Sequence, residues 1–313
     1  MTLDPQARHA LDLAAAAGRP AVETLSPEEA RRHYKEGRAA VVPPPAPVAL
    51  VENLTIPGPG GPIPVRHFRP AGTAAGAILP ALIWYHGGGW VMGDLDTHEG
   101  ICRALANAAG AAVVSVDYRR PPEAKFPAAV DDAYAVLAWL AENGDRLRIE
   151  GTRLAVGGDS AGGNLAAVTA LLARDRGGPA LRHQVLVYPV TDFARGHASY
   201  REHAQGFGLT AAAMAWFIDQ YLNNAGEARD WRASPLLAPD LRSLPPAFVV
   251  TAEHDVLRDE GRAYADALRG ANVPVVHRPF DGMIHGFLGM GRLIDAAAVA
   301  TEEIGAALRR SLA

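Results

Sequence analysis

One eleven-residue stretch, residues 153–163, constrains the fold of this chain more than any other. Its sequence, R-L-A-V-G-G-D-S-A-G-G, begins with a short apolar run and leads into an Ala- and Leu-rich segment. Residues 158–162 fit the pattern G-x-S-x-G, in which a sharp strand-to-helix turn exposes the serine hydroxyl. Taken alone, the pattern also fits a glycine-rich turn with an ordinary serine. The flanking residues favour the first interpretation, with Ser160 at the tip of the turn and a helix N-terminus behind it.

The composition indicates a folded domain with a sizeable core. Of the 313 residues, 49% are hydrophobic and 20% are charged, and the formal net charge is −4. Because the chain has no basic excess, we expect no nucleic-acid partner. Cys102 is the single cysteine, which excludes an intrachain disulfide and suits a reducing compartment.

The first 47 residues predict two short helices and an extended connector. They contain no basic region followed by a continuous apolar core, and no apolar run of 18 residues occurs in the chain. We therefore expect a cytoplasmic protein without stable membrane association. Helical patterns precede residue 40, and the proline-rich sequence at 42–47 cannot continue a helix.

The rest of the chain alternates strands and helices. Strands are predicted at 48–56, 62–69, 78–84, 111–116, 153–156, 184–187, 247–251 and 273–279. Helices are predicted near 98–109, 127–143, 161–175, 258–270 and 292–312. This order predicts the α/β class, with a mostly parallel sheet of about eight strands, helices on both faces, and a ligand site at the carboxyl ends of the strands.

Residues 191–243 interrupt the alternation. They contain a helical stretch at 210–222 within irregular sequence that is rich in Trp, Phe and Gly. We expect this insertion to lie over the carboxyl ends of the strands beside the N-terminal helices. The predicted division is a helical cap from residues 1–45 and 191–243, and a catalytic domain from residues 46–190 and 244–313.

A triple-glycine loop follows the strand at 78–84 and predicts an oxyanion hole. In His86-Gly87-Gly88-Gly89-Trp90, bare backbone N–H groups can face one point in space. The expected donors are Gly87 and Gly88, with Gly89 as a further candidate, together with the N–H of Ala161. His86 is interpreted as a brace for the loop.

A serine nucleophile requires a base, and the base requires a carboxylate that orients it. His285 follows the strand at 273–279 on a glycine-flanked loop, and Asp255 follows the strand at 247–251. The chain order Ser160, Asp255, His285 is the one expected for this kind of turn. Glu253 and Asp259 are the competing carboxylates.

Together these motifs resemble the hormone-sensitive lipase family of α/β-hydrolases, bacterial carboxylesterases that pair H-G-G-G-W with G-D-S-A-G-G. The resemblance covers nearly the whole chain and includes residues 117–119, 126–129, 234–236, 255–260 and 284–287. Two departures, Arg120-Pro121-Pro122-Glu123 and Val256, concern local loop shape. The resemblance implies the α/β-hydrolase fold and a cap over the site.

The mechanism that follows is serine-dependent hydrolysis of a small-molecule ester, with no metal or organic cofactor. Ester, amide and acyl-transfer chemistry on the same site remain open, as does a non-catalytic small-molecule receptor, and a homodimer is compatible with the sequence. The candidate substrate-binding residues predict a bounded apolar pocket for short to medium acyl chains. They are Trp90, Asp159, Phe207, Ile284 and Phe287, with Trp216 and Phe217 as further aromatic candidates. Asp159 could line the alcohol side of the pocket or could instead help to hold the cap or the loop network.

Overall fold

A computed structural model describes residues 2–313. The chain begins with two helices and a β-hairpin, and strands and helices then alternate to the end. The strands are β1 Leu50–Gly58, β2 Gly61–Arg69, β3 Leu79–Tyr85, β4 Ala112–Val116, β5 Ile149–Asp159, β6 Leu181–Val187, β7 Ala247–His254 and β8 Val275–Ile284. The helices are α1 Pro5–Ala16, α2 Pro27–Val41, α3 Glu99–Ala109, α4 Ala128–Asn143, α5 Ala161–Asp175, α6 Ser199–Glu202, α7 Ala211–Tyr221, α8 Arg258–Gly270 and α9 Ala296–Ser311.

The strands form one eight-stranded sheet in the order β1-β2-β4-β3-β5-β6-β7-β8. β2 pairs antiparallel with β1 and β4, whereas the neighbours from β4 to β8 all pair in parallel. Successive residues of β3 point to opposite faces of the sheet. Ile83 packs in the core that contains α4 and α5, and Leu82 and Trp84 pack in the core that contains α3 and α9. The predicted mostly parallel sheet with helices on both faces is confirmed.

Two strands extend beyond their predicted ends. β5 begins at Ile149 and continues through the glycine pair to Asp159, and β8 continues to Ile284, where a loop was expected. The β7–β8 register shifts between Ala252 and His254, and the pairing then resumes with His254 opposite Ile284. The pairing of β7 with β8 therefore continues up to the residues that precede Asp255 and His285.

The insertion after β6 is fastened to α8 by two carboxyl groups. The N–H of Thr191 donates to Glu260 Oε1 over 2.7 Å, and the N–H of Ser199 donates to Asp259 Oδ2 over 2.9 Å. Burial raises the pKa of Glu260 well above its usual range. The division into catalytic domain and cap at residues 45, 190 and 243 stays a prediction. Within residues 2–313, no helix combines the length and apolar character needed to cross a bilayer.

Candidate active site

Ser160 stands alone between β5 and α5, in a backbone conformation that side chains rarely adopt. Its φ is 57° and its ψ is −118°. The turn is tight because α5 approaches the end of β3: a Cβ on Gly162 would lie 1.8 Å from the Tyr85 carbonyl oxygen. A glycine is therefore required at 162, and the turn presents the Ser160 hydroxyl at the carboxyl edge of the sheet.

The three residues of the predicted triad meet at this edge. His285 Nε2 lies 3.0 Å from Ser160 Oγ, and His285 Nδ1 lies 2.7 Å from Asp255 Oδ2. The N–H of Leu257 donates to the other oxygen, Asp255 Oδ1, over 2.9 Å. Because a carboxylate only accepts, the proton belongs on Nδ1, and Nε2 offers its lone pair to the serine hydroxyl. This is the hydrogen-bond order that serine activation needs.

The competing carboxylates have other contacts. Glu253 Oε2 accepts the N–H of Gly282 over 2.7 Å, so it braces the β7–β8 pair. Asp259 accepts the N–H of Ser199 and pairs with Arg258 over 2.8 Å. Asp255, which is 1% exposed, is therefore the carboxylate that contacts His285.

Three backbone N–H groups of the glycine loop were considered as oxyanion donors, and those of Gly88 and Gly89 are free, whereas that of Gly87 is not. The Gly87 N–H donates to Asp159 Oδ1 over 3.1 Å, so it is already engaged, which corrects its assignment as an oxyanion donor. Gly88 and Gly89 line the same cavity as Ser160, with φ values of 115° and 59°. Their N–H groups, and that of Ala161 at the start of α5, donate to no group among residues 2–313. The free donors around Ser160 are therefore Gly88, Gly89 and Ala161.

Asp159 links this loop to a buried histidine that the sequence interpretation missed. His98, just before α3, has its Nε2 atom 3.3 Å from Asp159 Oδ2. Burial opposes ionisation of Asp159, but His98 and the nearby Arg38 outweigh it and lower the pKa of this carboxyl. Asp159 thus lines the cavity as predicted and also holds the first glycine of the loop.

His86 lies beneath the glycine loop as a brace. Its ring stacks on Tyr118 at 4.3 Å between ring centres, and the Tyr118 hydroxyl donates to the His86 carbonyl oxygen over 2.7 Å. The side chain is fully buried and does not reach Ser160's cavity.

The cavity above Ser160 has a volume of about 280 Å³. One wall comes from α7 and the segment before it, and another comes from α2. Gly286 and Met290, which follow His285 in the sequence, also line the cavity. The α7 wall is apolar and consists of Leu209, Ala213, Met214 and Phe217, and the α2 wall carries Tyr34 and Arg38.

Four of the five predicted substrate-binding side chains are not among those that line this cavity. Trp90 is buried and stacks on Tyr221, with 4.5 Å between ring centres. Phe207 stacks on His254 at 4.8 Å, Phe287 packs against Phe280 at 5.0 Å, and Ile284 is 1% exposed. Trp90, Ile284 and Phe287 pack into the core beside the site, where they bury more surface, and the half-buried Phe207 packs against the edge of that core. Trp216 also does not line the cavity, but Phe217 does.

Tyr34 and Arg38 were missed because nothing near them in the sequence marks a site. The available signal was their spacing of four residues on a predicted helix, which places both on one face. Among residues 2–313, no group of three or more His, Cys, Asp or Glu side chains is arranged to hold a metal ion.

Known proteins with similar sequences and structures share this architecture. A family model for the alpha/beta hydrolase fold matches residues 82–289. The chain is 47% identical to Carboxylic ester hydrolase LipN of Mycobacterium tuberculosis, over 84% of this chain and 70% of that protein. It is 38% identical to Ethyl acetate hydrolase of Pseudomonas putida, over 95% of each. A crystal structure of a mutant of LAE6, an alpha/beta hydrolase enzyme from the metagenome of Lake Arreo, Spain, superposes with a TM-score of 0.95 at 43% identity, covering 99% of this chain and 98% of that one. The chain therefore belongs to the α/β-hydrolase family, and within it to the carboxylesterases of the hormone-sensitive lipase type.

Proposed function

We propose that the protein hydrolyses short- to medium-chain carboxylic esters through an acyl-enzyme on Ser160. The observation that carries the proposal is the continuous contact from Asp255 through His285 to Ser160, at 2.7 Å and 3.0 Å, which opens on a cavity with unused N–H donors. A receptor without catalysis would have no need for a strained serine beside an oriented imidazole.

In the proposed acylation step, Ser160 Oγ attacks the ester carbonyl carbon and its proton passes to His285 Nε2. Asp255 holds the imidazole through Nδ1–H and stabilises the imidazolium that forms. The carbonyl oxygen becomes an oxyanion and accepts hydrogen bonds from Gly88, Gly89 and Ala161. When the tetrahedral intermediate collapses, the departing alcohol takes the proton from Nε2.

Deacylation repeats the sequence with water as the nucleophile. His285 Nε2 removes a proton from water, the hydroxide attacks the acyl carbon, and the same three N–H groups bind the second oxyanion. Collapse then releases the acid and returns the proton to Ser160 Oγ. Each oxyanion donor of this type contributes about 10²–10³-fold to the rate.

The size of the cavity supports a limited acyl chain. Its 280 Å³ lies near the lower end of the range for small-molecule sites, and Met214 and Phe217 of α7 form an apolar wall. Each methylene that fits contributes up to about 0.8 kcal/mol, whereas one that does not fit must displace packed side chains. The gain with chain length should therefore reverse abruptly.

A p-nitrophenyl ester series from acetate to palmitate tests the proposal. We expect kcat/KM to peak at a short or medium chain, and to vanish in Ser160→Ala and after treatment with a serine-directed phosphonate. His9, exposed on α1, provides a matched control, since His9→Ala should keep the activity that His285→Ala loses. A maximum at palmitate would contradict the bounded pocket, and full activity in Ser160→Ala would contradict the mechanism.

The same preparation distinguishes the alternative reactions. Comparing p-nitrophenyl esters with the matching p-nitroanilides measures ester against amide preference, and adding a primary alcohol reveals acyl transfer as a new ester product. Ester hydrolysis should be faster than both anilide hydrolysis and acyl transfer, because the apolar α7 wall offers no hydrogen-bond partner to an amide N–H or to an added alcohol.

A further inference from the structure

The α2 wall of the active-site cavity carries two hydrogen-bond donors without partners. Tyr34 and Arg38 lie one helical turn apart, and both line the cavity that contains Ser160. Neither side chain makes a hydrogen bond or an ion pair with any of residues 2–313. Both make ring contacts: the Arg38 guanidinium lies 5.9 Å from the Tyr34 ring centre, and Tyr34 stacks on His98.

The Arg38 guanidinium occupies space that a glycine leaves open. A Cβ on Gly289 would lie 2.1 Å from Arg38 Nη2, so the charged group packs directly against this backbone. Arg38 Nε is buried and has no hydrogen-bond partner within residues 2–313. A buried donor that is left unpaired costs stability, and more so when it is charged. An arrangement of this kind is favoured where a ligand supplies the missing acceptor.

The charges around Arg38 do not supply that acceptor. Its neighbour on α2, Lys35, pairs at the surface with Asp94 and Asp96 over 3.1 Å and 2.7 Å. Asp159 is the one carboxylate that lines the cavity within residues 2–313, and it is engaged by the Gly87 N–H and by His98. Asp159 thus attracts Arg38 through space without accepting a hydrogen bond from it, and the guanidinium at the α2 end of the cavity keeps N–H donors without an acceptor among residues 2–313.

A second cavity continues beyond this point. It has a volume of about 450 Å³ between α2, α3 and α9, and it shares Arg38, Ile101 and Gly289 with the cavity above Ser160. The guanidinium thus stands at the boundary between the two. A substrate that is anchored at Ser160 and long enough to reach this boundary would contact Arg38.

We propose that Arg38 and Tyr34 bind a carboxylate at the end of the substrate remote from the scissile bond, so that the preferred esters carry a free carboxylate, as half-esters of dicarboxylic acids do. This proposal rests on the esterase function proposed above. The planar guanidinium can donate two parallel hydrogen bonds to a carboxylate, and the Tyr34 hydroxyl can add a third. Burial raises the pKa of Tyr34, so its hydroxyl keeps the proton that it would donate.

Matched ester pairs test this proposal. Monoethyl glutarate and ethyl 5-methylhexanoate differ mainly by a carboxylate in place of an isopropyl group on the acid side. The 4-acetoxybutyrate anion and neutral 4-methylpentyl acetate differ in the same way, but on the alcohol side of the ester. A pH-stat records acid release from each ester, and the ratio of kcat/KM for the anionic ester to that for its neutral partner is compared among variants.

In at least one pair, the ratio of kcat/KM for the anionic ester to that for the neutral ester should fall about 10-fold or more in Arg38→Met. This substitution keeps the side-chain length and removes the charge. Arg38→Lys should give an intermediate ratio, because it keeps the charge and loses the planar fork. Tyr34→Phe should lower the ratio less than Arg38→Met. Lys35→Met removes a surface charge from the same helix and should leave the ratio unchanged, since Lys35 is 54% exposed and outside the cavity.

Carboxylate recognition would be overturned if Arg38→Met and the wild type gave the same anionic-to-neutral ratio of kcat/KM in both ester pairs. A wild-type protein that is folded and hydrolyses no ester would instead contradict the proposed function. In that case, calorimetric binding of monoethyl glutarate to Ser160→Ala and to Ser160→Ala/Arg38→Met still tests Arg38. Binding at least 10-fold weaker in the double variant would support the proposal, and equal binding would refute it.

Discussion

The acid stability of the protein should depend on a histidine remote from the site, His67 in β2. His67 is 1% exposed, and in the part of the chain that the structure describes neither ring nitrogen has a hydrogen-bond partner. The nearest carboxylate oxygen, Glu52 Oε2, lies 3.9 Å from Nδ1. Burial, reinforced by the charge of Arg69, lowers the pKa of His67 to about 4 in the folded protein. In the unfolded chain the imidazole titrates near pH 6.5.

The sign and size of the effect follow from this difference. Above about pH 6.5 both states hold a neutral ring, so His67 contributes no pH dependence. As the pH falls from 6.5 towards 4, the unfolded chain binds a proton that the folded protein excludes, and the free energy of unfolding decreases. At 1.36 kcal/mol per pKa unit, the loss is about 3 kcal/mol in the limit and about 2 kcal/mol between pH 7 and pH 5.

Replacing His67 by leucine removes the titrating group and keeps a buried side chain of similar size. Urea unfolding of the wild type and His67→Leu at pH 7, 6 and 5, at constant ionic strength, measures the effect. The difference between their unfolding free energies should shift by about 2 kcal/mol in favour of the variant between pH 7 and pH 5. His9→Leu on the exposed face of α1 is the matched control and should track the wild type. If His67→Leu also lost stability in parallel with the wild type, the burial argument would fail.

Three further predictions concern the elbow and its supports. Ser160→Ala and His285→Ala should each lower kcat about 10⁴-fold or more without changing the circular dichroism spectrum, and the double variant should be no worse, because triad residues act as a unit. Gly162→Ala, whose Cβ would lie 1.8 Å from a backbone oxygen, should cost at least about 1–3 kcal/mol in thermal unfolding, whereas Gly196→Ala, with nothing within 4 Å, should not. Asp159→Ala should lower kcat about 10–100-fold by freeing the glycine loop, and Asp159→Asn, which keeps an oxygen acceptor, should lose less; equal losses in ester kinetics would contradict this role.

The fold and the triad contacts could be predicted because their signals are local in the sequence. Short apolar runs separated by helical patterns require a parallel sheet with covered faces, and chemically distinctive residues directly follow three of the strands. The carboxyl ends of parallel strands meet at one edge, so Ser160, Asp255 and His285 had to lie near one another. The strand ends were less predictable, since the pairing of β8 as far as Ile284 depends on β7 and not on the local sequence.

The substrate wall could not be predicted from the same signals. Aromatic residues near the motifs, such as Trp90 and Phe287, suit a pocket and a core equally, and the packing of α7 and β8 decides between them. The assignment of Gly87 failed for a related reason. Its N–H is a suitable oxyanion donor until the Asp159 carboxylate, on the neighbouring strand, accepts it. Tertiary contacts between separate segments thus determined the residues that the sequence interpretation assigned wrongly.

The site divides into two structural units with different supports. Ser160 and the proposed oxyanion donors are positioned by the ends of β3 and β5, where Gly162 closely approaches Tyr85 and the Gly87 N–H donates to Asp159. The proposed base His285 and its carboxylate Asp255 are positioned by β7 and β8, which pair up to His254 and Ile284. Because Ser160 and His285 meet across this division at 3.0 Å, changes in β7 or β8 should misplace the base while leaving the oxyanion donors in position. Changes in the β3–β5 unit should displace the nucleophile and its donors together, since the same few contacts hold both.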